Sequence, residues 1–154
     1  MSGRSEARRF ILQMLFLLEQ NPDADRQRID HNATLEFKDP QVRNFIRRIL
    51  DGIRTHRSKL DQQIRQTAHN WRLERMAITD RNVLRMGLYE MLHEGTPAPV
   101  VINEAVEIAR EFGSENSAAF VNGILDRIAW PGPRGARRER ERPADAEAKT
   151  TGEP

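Results

Sequence analysis

Apolar residues along the first 130 positions recur at intervals of three and four and show no sustained alternation of period two, which predicts helices throughout. Ile11, Met14, Leu15 and Leu18 mark an amphipathic helix over roughly Ser5 to Gln20, with Ser5 as its N-cap. Asn21-Pro22-Asp23 interrupts the chain, and Asp25 to Leu35 forms a second, poorly periodic helix. Asp39-Pro40 opens the strongest stripe. Proline is tolerated in a first helical turn, and Val42, Phe45, Ile46, Ile49, Leu50 and Ile53 keep the i, i+3, i+4 spacing of a buried face. Leu60, Ile64 and Ala68 continue that stripe beyond a bend near Thr55 to Ser58.

In the second half, Thr79 caps a helix that buries Val83, Leu84, Leu88, Met91 and Leu92 and ends at Gly95-Thr96-Pro97-Ala98-Pro99. Ile102, Ala105, Val106 and Ala109 face inward on the next helix, with Gly113 where a left-handed C-terminal cap belongs. A last helix runs from about Ser114 to Ile128, with Phe120, Val121, Ile124, Leu125 and Ile128 on one side. The expected fold is all-α, a compact single-domain bundle of six to seven helices over residues 1–130. Residues 131–154 are rich in proline, glycine and alternating charge, the composition of a disordered tail.

Charge alters this picture little in total and more in type. The formal net charge is +2, and all but three of the 25 basic side chains are arginines, which suit bidentate phosphate contacts and stacking on bases. A high-GC genome produces the same bias. The absence of cysteine excludes disulfides, thiolate metal sites and cysteine nucleophiles and fits a reducing compartment, the cytoplasm. Arg8-Arg9 before the apolar run Phe10 to Leu18 resembles a short signal peptide. Glu6 in the would-be basic region and the lack of a small-residue cleavage site favour a core-facing helix instead, with no membrane segment.

No catalytic constellation emerges. The four histidines are scattered, and Glu90 with His93 forms one Glu-x-x-His unit where a di-iron bundle needs two, so neither a metal nor a cofactor is expected. Glu104 and Glu107 form an ordinary solvated helix face, and there is no phosphate-binding loop or nucleophile elbow. The chain thus reads as a binding protein, not an enzyme. Arg4, Arg8 and Arg9 oppose the dipole at the start of the first helix, a cost that suggests an anionic partner. Phe112 and Phe120 flank the last turn, where Ser114 or Ser117 can cap the following helix. Taken alone the two rings read as core; partial exposure would let them stack on unpaired bases.

Four stretches in register resemble the bacterial transcription antitermination factors of the NusB family. They are Asp80-Arg81-Asn82-Val83-Leu84-Arg85-Met86-Gly87-Leu88-Tyr89-Glu90; Pro99 through Ala109; Phe112-Gly113; and Ser117 with Phe120-Val121-Asn122-Gly123-Ile124-Leu125-Asp126. Ala7-Arg8-Arg9, Leu12-Gln13 and Leu15-Phe16 resemble the family's arginine-rich first helix, and Leu60-Asp61 and Asn70-Trp71 fit its middle; the likeness spans about residues 4 to 129. The resemblance implies an all-helical RNA-binding protein that joins the ribosomal protein NusE on the boxA element of nascent ribosomal RNA, loads onto RNA polymerase and suppresses termination. A homodimer of the free protein is a further possibility it raises. It implies RNA contacts from Arg4, Arg8, Arg9, Phe16, Phe112, Asn116, Ser117 and Phe120, and partner contacts from Asp80, Arg81 and Arg85. This chain departs from the family at Ser5 and Glu6, which dilute the basic run, at Phe16 in place of a tyrosine, and at Asn116 in place of an acidic residue. Two alternatives stay open: a domain like the RNA-binding front of some ribosomal RNA cytosine methyltransferases, and a helical bundle that docks only proteins.

Overall fold

A computed structural model describes residues 3–24, 26–69 and 72–132; the expected tail beyond 132, Asp25 and the Asn70-Trp71 pair lie outside the described residues. Six α-helices follow one another: α1 (Gly3–Gln20), α2 (Arg26–Glu36), α3 (Pro40–Thr67), α4 (Ile78–His93), α5 (Ala98–Phe112) and α6 (Ser117–Ala129), with a single 3₁₀ turn at Leu73–Arg75. Among the described residues there is no strand, and no helix is long and apolar enough to cross a membrane.

Helix α4 is the axis of the bundle and packs against α1, α3, α5 and α6. It is buried on nearly all sides, with Val83, Leu84, Met86 and Leu88 in the core, which is why its apolar residues run almost continuously instead of forming a narrow stripe. Met86 takes the place expected for Leu92, which is 52% exposed because it lies on the short remaining outer face. Gly87 marks the closest approach: a Cβ there would stand 3.2 Å from Leu125 of α6 and 3.3 Å from Val101 of α5.

Helix α3 begins as expected, with the Asp39 carboxylate accepting a hydrogen bond from the Gln41 amide at 2.9 Å. The bend expected near Thr55 to Ser58 is absent. That segment is the solvent side of one uninterrupted helix of 28 residues, so its polarity reports exposure and not a break. Phe45, Ile46, Ile49, Leu50 and Ile53 are all in the core, as their spacing requires.

Other helix ends differ from the sequence expectation for local reasons. Helix α1 starts at Gly3, so Ser5 lies inside it, buried, with its hydroxyl donating to Glu104 Oε1 at 2.6 Å across to α5. Helix α4 starts one residue before Thr79, at Ile78, and its N-cap Ala77 offers no side-chain bond. Gly113 has φ −96° and ψ −164°, extended instead of left-handed; glycine is required there because a Cβ would collide with Ser117 Oγ and lie 2.6 Å from the Ala109 carbonyl oxygen. Gly95, φ +68°, takes the left-handed conformation instead, where the chain turns out of α4.

Candidate functional site

The arginines at the start of α1 separate into different environments. Arg4 is exposed, its guanidinium 4.8 Å from the centre of the Phe45 ring, an arrangement that holds the cation by its attraction to the ring face. Arg48 approaches the same ring at 6.0 Å and donates to Glu94 at 2.9 Å. Arg9 donates to Glu111 of α5 at 2.7 Å and to the Ser5 carbonyl at 3.0 Å, on a partly open surface.

Arg8 does not belong with them. It is 4% exposed and faces inward, its Nε donating to Glu90 Oε2 at 2.9 Å and its Nη2 to Glu90 Oε1 at 2.5 Å. Glu104 lies 3.5 Å from Arg8 Nη1, and the Thr96 hydroxyl also donates to Glu90 at 3.0 Å. Burial alone would pull the Arg8 guanidinium's pKa down; the hydrogen bond and charge of Glu90, with the charge of Glu104, more than reverse this and raise it. Arg8 therefore joins α1 to the central helix and is not free to meet phosphate, correcting its place among the expected RNA contacts.

A second buried network lies lower on α4. Arg85 is 4% exposed and donates to Asp61 of α3 at 2.7 and 3.1 Å, to Glu19 of α1 at 2.8 Å and to Asn82 Oδ1 at 3.1 Å. Arg81 reaches Glu19 at 2.9 Å. Burial would raise the Glu19 carboxyl's pKa, but the hydrogen bonds and charges of Arg81 and Arg85 hold it below the usual range. Arg85 is thus internal, a correction to its expected partner-facing role, whereas Arg81 remains partly open. Asp80 is only 8% exposed, and its Oδ1 has no hydrogen-bond partner; neither has the Nδ2 of Asn82, which is 1% exposed.

The aromatic residues also divide. Phe16 of α1 and Phe112 of α5, 50% and 38% exposed, come together in an open cleft of about 230 Å³ with Leu12, Ile78, Thr79 and Asn82. No basic side chain lines it. Phe120 packs partly against the core and borders a separate recess with His69, Gly123 and Arg127. Asn116 is exposed before α6, but Ser117 is 1% exposed, its Oγ accepting from the Ser114 amide at 2.9 Å, so it is a turn residue and not an accessible contact.

Sequence reasoning missed two features, of which only the buried ion pair carried a signal. Arg8 shares the spacing of Ile11 and Leu15, and Glu90 shares that of Val83 and Gly87, so each charge falls on a core-facing stripe and needs a buried opposite charge. The cleft of Phe16 and Phe112 had no comparable signal, because its walls come from three helices distant in sequence.

Fold and site together define an all-helical bundle in which some candidate side chains lie on open surfaces and others are buried. The pattern of the NusB family matches residues 5–130. The chain is 42% identical over 134 residues to the transcription antitermination protein NusB of Myxococcus xanthus, spanning 84% of this chain and 96% of that protein. It is 39% identical over 144 residues to the counterpart in Anaeromyxobacter dehalogenans, spanning 90% and 99%. Among solved structures, T. maritima NusB superposes with a TM-score of 0.75 at 36% identity, over 90% of this chain and 99% of that one. A chain from the crystal structure of antitermination factors NusB and NusE in complex with dsRNA shares the fold, with a TM-score of 0.74 at 21% identity over 84% and 97%. The chain belongs to the NusB family.

Proposed function

We propose that this protein is a transcription antitermination factor that acts in the cytoplasm by binding and not by catalysis. It holds RNA, the boxA element of ribosomal RNA leaders, on one face and a ribosomal protein of the NusE type on another, and it delivers both to RNA polymerase. Its relatives' shared name, transcription antitermination protein, supports the role. The observation that carries the two-face reading is the chemical contrast between the two aromatic sites.

Arg4 and Arg9 stand on the accessible side of α1, and the Phe120 recess carries Arg127 and His69. Cations beside an aromatic ring suit phosphates and unpaired bases. The cleft of Phe16 and Phe112 is apolar, lacks a cation and takes Ile78 and Thr79 at the α4 start into its wall, next to Asp80. Such a surface offers a polyanion no cation and suits a protein partner that brings an apolar side chain. Phe16 and Phe112 therefore move from the RNA set to the protein-partner set, with Asp80 and Arg81. In the free protein the same apolar cleft can pair with a second copy.

The test measures each partner separately. Replacing Arg4 and Arg9 with alanine weakens boxA RNA binding and lowers the log–log salt slope by roughly 1.4, about 0.7 per lost phosphate contact on a single strand. Phe16→Asp leaves that slope alone and abolishes binding of the ribosomal protein in calorimetry. An unchanged salt slope in the first variant, or full partner affinity in the second, overturns the assignment of the corresponding face.

A further inference from the structure

A cavity of about 290 Å³ opens between α1, α2, α3 and α4, sharing Asn82 with the cleft of Phe16 and Phe112 but otherwise lined by different residues. Its interior is aliphatic, built from Leu15, Leu18, Ile29, Leu50 and Ile53. Among the described residues no aromatic ring lines it, so they offer a nucleobase nothing to stack on. Its volume is at the low end for small-molecule sites, which are typically about 300 to 1,000 Å³.

Its polar rim is unequal in charge. Among the described residues Glu19 is the only acid on the wall, and its carboxylate already accepts from Arg81 and Arg85, while Arg26 is paired with Asp51. Arg54 and Arg57 remain. Arg54 is exposed and makes no ion pair among the described residues. Arg57 comes only within 3.7 Å of Glu19 and 3.8 Å of Asp61, beyond ordinary hydrogen-bond reach, so its donors are open to a better acceptor. The unbroken course of α3 places these two arginines three residues apart on one face at the mouth. On the wall beside Arg85, Asn82 adds a buried amide whose Nδ2 lacks an acceptor. Its Oδ1 accepts from Arg85, so turning the amide over would set two donors against each other.

We infer that this cavity binds a small amphipathic anion: an aliphatic body seated among the leucines and isoleucines, with a carboxylate or similar head held at the mouth by Arg54 and Arg57. The charge surplus selects an anion, the aliphatic lining selects a saturated chain, and the volume limits the chain to medium length. Its mouth at Arg54 and Arg57 lies outside the residues assigned to the RNA and protein faces.

The probes are octanoate and the uncharged octan-1-ol, titrated calorimetrically into the full-length protein, with backbone amide resonances recorded in parallel. Octanoate binds about tenfold more tightly than octanol and shifts the amides of Leu18, Ile29 and Ile53. Arg54→Glu removes that preference while leaving the melting temperature unchanged, since its side chain is exposed. Equal binding of acid and alcohol, no binding of either, retention of the preference in Arg54→Glu, or shifts confined to the Phe16 and Phe112 cleft would each overturn the inference.

Discussion

Removing the Arg8 side chain leaves the Glu90 carboxylate, 1% exposed in the centre of the bundle, with only the Thr96 hydroxyl as a remaining side-chain donor. An exposed arginine–carboxylate pair contributes about 0 to 1 kcal/mol, whereas breaking a buried pair by deleting one partner costs roughly 3 to 5 kcal/mol, since the stranded charge keeps its desolvation penalty. The geometry puts Arg8 in the second class: two short, parallel hydrogen bonds to Glu90 and a further carboxylate, Glu104, at 3.5 Å. For a domain of this size each kcal/mol moves the midpoint by about 4 °C, so Arg8→Ala should melt about 12 to 20 °C below the parent. The assay is thermal unfolding followed by circular dichroism at neutral pH, for Arg8→Ala, Glu90→Gln and a double variant, Arg8→Met with Glu90→Leu. The double variant should recover much of the loss, because it strands no charge. An Arg8→Ala protein that melts with the parent and merely loses RNA affinity would falsify the internal role and return Arg8 to the RNA face.

Other expectations are smaller. Gly52→Ala should destabilise by about 1 to 3 kcal/mol despite alanine's better helix propensity, because the new methyl collides with the Tyr89 ring; a higher melting temperature would contradict this. The depressed Glu19 pKa implies stability that is present above the ordinary glutamate value of 4.5 and lost as pH falls through the lower folded value, so denaturant midpoints should drop on acidification and Glu19→Gln should flatten that limb. His93, stacked on His56 at 4.3 Å between ring centres, has its pKa lowered first by burial and then by the charges of His56 and Lys59, so its contribution holds above its ordinary value of 6.5 and fades below it. Proton-resonance titration of His56→Gln should show the His93 pKa rising toward its ordinary value, and an unmoved titration curve would refute the coupling.

The helical class was legible because the core stripes of α3, α5 and α6 keep their spacing without interruption, so Phe45 through Ile53 and Val121 through Leu125 could be assigned inward from sequence alone. Helix ends were harder. Serine, threonine and glycine at positions 5, 79 and 113 carry strong local preferences that tertiary contacts overrode, as the bond from Ser5 to Glu104 shows directly. The polar run at Thr55 to Ser58 looks the same on an exposed helix side as at a break, and only the neighbouring helices distinguish the two. For the site, residue type misled where burial decided the outcome: Arg8, Arg85 and Ser117 have the chemistry of contacts and the positions of structural ties. The joining of Phe16 to Phe112 is a tertiary event that no local pattern encodes.

The tie between Arg8 and Glu90 spans 82 positions, and Ser5 meets Glu104 across 99. During synthesis, α1 emerges first and lacks the carboxylates that hold its inner side until α4 and α5 have followed it out. Until then Arg8 lacks its carboxylate partners, and of the helices that α1 packs against most, α3 alone is available to orient it about its own axis. The accessible arginines of α1 therefore acquire their final orientation only when most of the domain has been made, about 5 to 20 s later at ordinary elongation rates. The finished surface on that side of α1 is thus assembled late, so an incomplete chain presents a basic helix but not the mature arrangement of its arginines.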